Sequence, residues 1–233
     1  MKRTTRNNIE EIIKNSLKLH KQQQKEFFLY DRIMVYVQDP LLNSEVDIQE
    51  IIDIIEAVTP SHIYEEIDLI LIGEDERLYE RELEALYESG AIYILNSLFT
   101  NNDYVENVIH ETAHSLEKKY GMVIYSDRML EKEFLGKRRR FYHKLKALGY
   151  DVNLRNFENS EYEEGFDSFL YKDIGYEKLT NILNGLFVSP YASTSLEEYF
   201  ANGFEKYFLD DRDYLLKVSP ILYRKIVEII EYE

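Results

Sequence analysis

The sequence predicts an α+β fold, mostly helical with a small mixed β-sheet, and three observations carry that expectation. Residues 105–120, VENVIHETAHSLEKKY, read as an amphipathic helix, with Val105, Ile109, Ala113 and Leu116 at helical spacing. Residues 67–72, IDLILI, and 90–99, GAIYILNSLF, are short apolar runs with the β-branched and aromatic content of buried strands. Around them stand longer stretches of helical periodicity.

In chain order, residues 7–30 predict a helix, with Ile9, Ile12, Ile13, Leu17 and Leu19 as a partial stripe. Residues 33–37 form a short β-like run ended by Asp39-Pro40. Residues 47–58 place Ile48, Ile51, Ile52 and Ile55 on one helical face, and Thr59-Pro60 stops them. A short helix can follow over 60–66. The charge-rich residues 74–88 fit loop or helix. For the helix at 105–120, Asn102 and Asp103 are candidate N-caps and Gly121 a candidate stop. Residues 123–125 suggest a short strand. Residues 130–148 predict a helix carrying Lys137, Arg138, Arg139, Arg140, Lys144 and Lys146, a basic run that reads as a solvated face, with His143 on the surface. Residues 151–165 read as an acidic loop and 176–186 as helix. A last pair of helices begins at Ser193, Thr194 or Ser195, with Leu196, Phe200, Phe204 and Phe208 as the apolar stripe of the first.

The chain has 233 residues, enough for one substantial core without staples. No internal repeat or low-complexity linker divides it, so residues 1–233 are expected to form one domain with an insertion-like excursion at about 122–185. Lysine plus arginine number 28 and aspartate plus glutamate 44, a formal charge of −16. Such a surface repels nucleic acid and anionic membrane. No run is long and apolar enough to insert in a bilayer. There is no cysteine, so a metal must sit on histidine, aspartate or glutamate. The start, MKRTTRNNIEEIIKNSLKL, is basic but lacks a signal-type apolar core, so the sequence as it stands reads as cytoplasmic; a secreted protein whose leader had been removed reads the same. Oligomeric state leaves no mark on the sequence.

Within the predicted helix lies His110-Glu111-Thr112-Ala113-His114. Residues four apart share a helix face, so both imidazoles can reach one ion, and Glu111 can lean toward the same place. A zinc hydrolase needs two nitrogen ligands and a carboxylate that takes the proton of an activated water. The structural alternative is two histidines packed on an amphipathic helix. A hydrolytic zinc takes a third protein ligand, and the best candidates lie in SPYASTSLEEYFANGFEKYF, residues 189–208. Glu197 and Glu198 occupy the first turn of its helix, where carboxylates also serve merely to complement the helix dipole.

These residues resemble a known family. H-E-x-x-H followed by Tyr-x6-Glu-[Tyr/Phe]-Phe-Ala is similar to the metallopeptidase domain of anthrax toxin lethal factor and its relatives, which include the Pro-Pro endopeptidases. The likeness covers residues 67–74, 90–121 and 189 to the C-terminus, whose tail DRDYLLKVSPILYRKIVEII also fits. The resemblance implies a zincin-like fold, one zinc held by His110, His114 and Glu198, Glu111 as general base, and Tyr191 assisting the reaction. It implies a peptide or protein substrate received along an edge strand. That role falls on residues 90–99, with Ile92, Tyr93 and Ile94 as substrate-binding positions, although an ordinary sheet strand looks the same. Two departures stand out. Asn202 occupies the place where the family often has a second glutamate, and is expected to act beside the ligands rather than on the ion. The stretch between His114 and Glu198 is longer than in the family. The Mlc titration factor A family shares the Tyr, Glu and Phe-Ala spacing and lacks the second glutamate. It is the competing resemblance.

The expected chemistry is coherent. Zinc polarises the scissile carbonyl, Glu111 passes a proton from water to the leaving amine, and Tyr191 donates to the oxyanion. The alternative is a regulatory protein that sequesters a partner on the same scaffold, with weak or no proteolysis.

Overall fold

A computed structural model describes residues 25–231, and all structural statements concern these. The sheet has five strands: β1 (Glu26–Leu29), β2 (Ile33–Val37), β3 (Leu69–Gly73), β4 (Ala85–Glu88) and β5 (Ala91–Leu95), in the order β1-β2-β3-β5-β4. β2, β3 and β5 run parallel, and β1 and β4 pair antiparallel at the two edges. The sheet is therefore mixed, as expected. Part of the predicted helix over 7–30 is overturned: Glu26–Leu29 is a strand whose Phe27 and Leu29 face the core, while residues 7–24 lie outside the described residues. The hairpin to β2 turns through Tyr30 and Asp31, both at positive φ.

One face of the sheet is covered by α1 (Ile48–Val58) and α3 (Asn101–Tyr125). Ile48, Ile51, Ile52 and Ile55 bury the face their spacing predicts, against Leu29, Val35, Ile70, Ile72 and Ile94 from the sheet and Tyr104 and Val108 from α3. The segment after α1 makes only a single 3-10 turn, Ser61–Tyr64. The charge-rich stretch 74–88 resolves into α2 (Glu76–Glu80) and then β4. The Ser89-Gly90 turn, with both φ positive, brings β4 back along β5, the two-residue hairpin geometry.

Two boundaries of α3 differ from expectation. Its N-cap is Thr100, with Asp103 returning a hydrogen bond in a capping box. The helix runs through Gly121 to Tyr125, so residues 123–125 are helical rather than a strand. A glycine inside a helix costs backbone entropy but does not end it when flanking turns are packed, and Tyr120 and Ile124 are buried here.

The excursion joins the common core. α4 (Met129–Ala147) contributes Leu130, Phe134, Phe141 and Leu145 to it. Glu133 of α4 accepts hydrogen bonds from Tyr199 Oη and from the free backbone N–H groups of Ile221 and Leu222 at a later helix start. The basic run is not wholly a solvated face. Lys137 and Arg138 are only 6 % and 1 % exposed, while His143 is exposed as expected. Lys137 Nζ donates to Leu186 O, Val218 O and Ser219 Oγ. A 3-10 turn (Leu154–Phe157), α5 (Glu164–Ser168), a π-helical turn (Phe169–Ile174) and α6 (Tyr176–Leu183) follow. The chain ends with α7 (Leu196–Leu209), α8 (Arg212–Val218) and α9 (Pro220–Ile230). α7 lies so close to α9 that a Cβ at Gly203 would sit 2.2 Å from Leu222 Cδ2, so a larger residue would force the Leu222 side chain to move. No helix among the described residues is long and apolar enough to cross a membrane.

Candidate metal centre

α3 presents His110 and His114 on one face, with ring centroids 5.1 Å apart. α7 packs against α3 and supplies the third group. Ser195 caps α7, accepting from Glu198 N at 3.1 Å, and this fixes Glu198 in the first turn. Its carboxylate lies between the two imidazoles: Oε2 is 3.2 Å from His110 Nε2 and Oε1 is 3.8 Å from His114 Nε2. One ligand atom from each of His110, His114 and Glu198 falls within 4.8 Å of the others.

These atoms fit a metal ion. Ligands about 2.0–2.1 Å from a tetrahedral ion stand roughly 3.4 Å apart, and the two distances from the Glu198 carboxylate, 3.2 and 3.8 Å, lie either side of that. Glu198 Oε2 is buried and has no aligned hydrogen-bond partner, which is costly for a carboxylate unless another group satisfies it. Two imidazoles and a carboxylate also form a donor set that zinc accepts while keeping a position open.

Both histidines are held from behind. His114 Nδ1 is 2.8 Å from Glu117 Oε2, and Tyr125 Oη donates to the other oxygen of Glu117. His110 Nδ1 is 3.7 Å from Glu205 Oε2. Each ring thus turns Nε2 toward Glu198 and Nδ1 toward a carboxylate, the arrangement that orients a metal-binding histidine. Burial disfavours the charged form of His110, but Glu198 and Glu205 outweigh it and raise its pKa to about 10. Burial likewise opposes charge on His114, and Glu117 and then Glu198 raise it. For Glu198 burial pushes upward, yet the neighbouring His110 holds its carboxyl below the ordinary value.

Glu111 is buried beside this group, and its Oε2 accepts from the backbone N–H of Tyr87 at 2.6 Å. That contact places β4 next to the centre. Leu95 N donates to Glu84 O, so by antiparallel alternation Ala85 and Tyr87 turn their backbone groups away from β5. β4 is therefore the edge strand on this side of the sheet among the described residues. The substrate role expected for Ile92, Tyr93 and Ile94 is corrected on this point. β5 lies between β3 and β4 with both edges paired, Ile92 and Ile94 are buried in the core, and Tyr93 sits under Arg77, whose guanidinium is 4.4 Å from the ring centroid.

Tyr191 occupies a 3-10 turn (Tyr191–Ser193) immediately before α7, its ring centroid 6.5 Å from that of His110. Burial, then the nearby charge of Glu198, raises its phenol, which stays protonated at neutral pH. The hydrogen bonds of the Asn202 side chain go to groups other than the three candidate ligand atoms. Its Nδ2 donates to Glu198 O and its Oδ1 accepts from Ser189 Oγ, which in turn accepts from Ala192 N. It ties the Tyr191 turn to α7. The structure thus brings His110, Glu111, His114, Tyr191 and Glu198 together. It adds Glu117, Tyr125, Glu205 and Tyr87, which sequence reasoning did not select for these roles. A glutamate three residues after His114 was the available signal for Glu117.

Neither protein-family models, curated proteins nor solved structures give a match to this chain.

Proposed function

We propose that this chain is a zinc-dependent endopeptidase of the lethal factor-like kind. The observation that carries the reading is the meeting of His110, His114 and Glu198 from two helices, with their ligand atoms within 4.8 Å and Glu111 on the same helix as the histidines. A zinc ion bound there would polarise a carbonyl oxygen and acidify water near neutral pH.

The remaining work belongs to the chain. Glu111 takes the proton of the attacking water and returns it to the leaving amine. The hydrogen bond from Tyr87 N aims its carboxylate. Tyr191 donates to the oxygen that gains charge in the transition state. An extended peptide fits the outer edge of β4, where the outward backbone groups of Ala85 and the carbonyl of Tyr87 can pair with it while the Tyr87 N–H stays on Glu111. The −16 charge favours neutral or basic peptides.

The test combines elemental analysis with cleavage of a peptide library by wild type and Glu111→Gln. The reading expects about one zinc per chain in both proteins and cleavage by wild type alone. Zinc-loaded wild type that cleaves no peptide would leave a partner-sequestering scaffold instead. An absence of bound zinc would remove both readings.

A further inference from the structure

Arg138 has no place in the chemistry above, yet it is 1 % exposed in the middle of α4. Its charge meets no carboxylate at ion-pair distance among the described residues. Its partners are neutral backbone carbonyls: Nη1 donates to Asn159 O at 2.8 Å and to Thr194 O at 3.2 Å, and Nη2 donates to Asn156 O at 2.5 Å. Nε has no partner. The guanidinium stacks 4.1 Å from the ring centroid of Phe166 in α5. Burial lowers its pKa to about 10, so it remains charged at neutral pH.

For stability alone this is a poor use of the site. Taking a charge out of water carries a desolvation penalty that neutral carbonyls offset less well than a carboxylate would. What Arg138 holds is more informative. Thr194 lies between Tyr191 and the N-cap Ser195, and both its N–H and its Oγ1 donate to Tyr191 O, at 3.0 and 2.8 Å. The carbonyls of Asn156 and Asn159 belong to the segment whose next residue, Ser160, accepts from Leu196 N at 2.8 Å. One guanidinium therefore braces the turn that presents Tyr191 and the segment that abuts the start of the Glu198 helix.

We propose that Arg138 is a positioning residue, fixing Tyr191 through Thr194 at the distance the reaction requires. The kinetic part of this inference rests on the peptidase reading; the structural part does not. Small displacements of a catalytic group are costly in rate. Methionine fills most of the volume without the fork, and lysine keeps the charge while reaching fewer carbonyls.

The experiment is a double-mutant cycle on zinc-loaded full-length protein with a peptide that wild type cleaves. Arg138→Met is expected to keep zinc and KM and to lower kcat about tenfold or more. Arg138→Lys should recover part of that loss. In a Tyr191→Phe background, Arg138→Met should cost little further, because both changes remove one interaction. Full additivity in kcat overturns the inference. So does a loss of kcat that merely tracks unfolding, measured as the folded fraction at the assay temperature. If Arg138→Met does not fold, Arg138→Lys carries the same cycle. Hydrogen exchange decides the structural part even if no peptide is cleaved: the Ser193 and Thr194 amides should exchange faster in the variant while those of α3 do not change. Unchanged protection at Ser193 and Thr194 overturns it.

Discussion

His114 Nδ1 stands 2.8 Å from Glu117 Oε2, so a single turn of α3 carries both a candidate ligand and the group that orients it. Glu205 takes the matching place behind His110 from α7. Two carboxylates behind the candidate ligand rings are thus placed to set their tautomer and angle. Glu117→Gln keeps the shape but offers no charge. It is expected to leave the fold intact and to weaken zinc binding by about 10–100-fold. Competition against a chelator of known affinity measures this, and equal affinities would remove Glu117 from the site.

The third ligand can be separated from the carboxylates around it. Glu198→Ala removes the one carboxylate among the described residues that pairs with both Nε2 atoms and should lose the metal. Glu205→Ala, which removes a carboxylate 3.7 Å from His110 Nδ1, should retain it with lowered affinity. Zinc stoichiometry after dialysis decides between them. Full occupancy in Glu198→Ala would put the third ligand elsewhere, with Glu197 and Glu205 to be tried next.

Ion binding should expel protons. Without the ion His110 has its pKa raised to about 10, so its ring is charged at neutral pH, and Glu117 and Glu198 raise His114 in the same direction. A metal needs the neutral ring. Zinc affinity should therefore increase with pH up to about 10, where His110 loses its proton. The stability of the ion-free fold follows the opposite course. A charged His110 stabilises it fully below about pH 6.5, the unfolded value, and that contribution disappears as pH rises through the folded value. Calorimetric titrations in buffers of different ionisation enthalpy count the protons. Release of about one to two per zinc at pH 7 is expected, and release of none contradicts the raised values.

Much of this was legible in the sequence where the cause is local. The spacing of His110 and His114 fixes a shared helix face whatever surrounds them, and the four isoleucines of α1 fix its buried side in the same way. β4 was hidden because residues 74–88 read as charge, although Ser89-Gly90 between ALYE and AIYIL is a hairpin signal. Missing that hairpin moved the free edge onto β5. Lys137 and Arg138 could not be read as buried, because the carbonyls that accept from them lie tens of residues away in sequence. Glu198 was placed by resemblance rather than by its own pattern, since Glu197 shares its turn. In the fold it is Glu198 whose carboxylate oxygens lie beside the Nε2 atoms of His110 and His114.

The contact between Tyr87 N and Glu111 tests the placement of β4. Its backbone N–H points away from β5, so proline at 87 breaks no strand pairing and is tolerated on an edge. Tyr87→Pro removes the donor, and Tyr87→Ala removes the side chain but keeps it. A hydrogen bond to a charged group contributes about 1.5–3 kcal/mol, so the proline variant should lose roughly tenfold or more in kcat/KM relative to the alanine variant. Zinc content and melting temperature should agree between the two. Equal rates would show that the bond does not aim Glu111.

Tyr191 carries the most specific claim. Its turn is bound to α7 through Ser189 and Asn202, so the backbone before Glu198 is fixed while the ring lies 6.5 Å from His110. Burial and the charge of Glu198 keep the phenol protonated, which suits a neutral donor whose hydrogen bond strengthens as the carbonyl oxygen gains charge. Removing one such donor typically costs on the order of a hundredfold in kcat. Tyr191→Phe should therefore retain zinc, melting temperature and KM while losing most of kcat. If the ring serves only to pack the turn, phenylalanine replaces it with no loss of rate. Because the variant keeps the aromatic face and deletes a single oxygen, equal kcat for the two proteins would end the catalytic assignment. A fall in melting temperature with unchanged kcat would assign the hydroxyl to the fold.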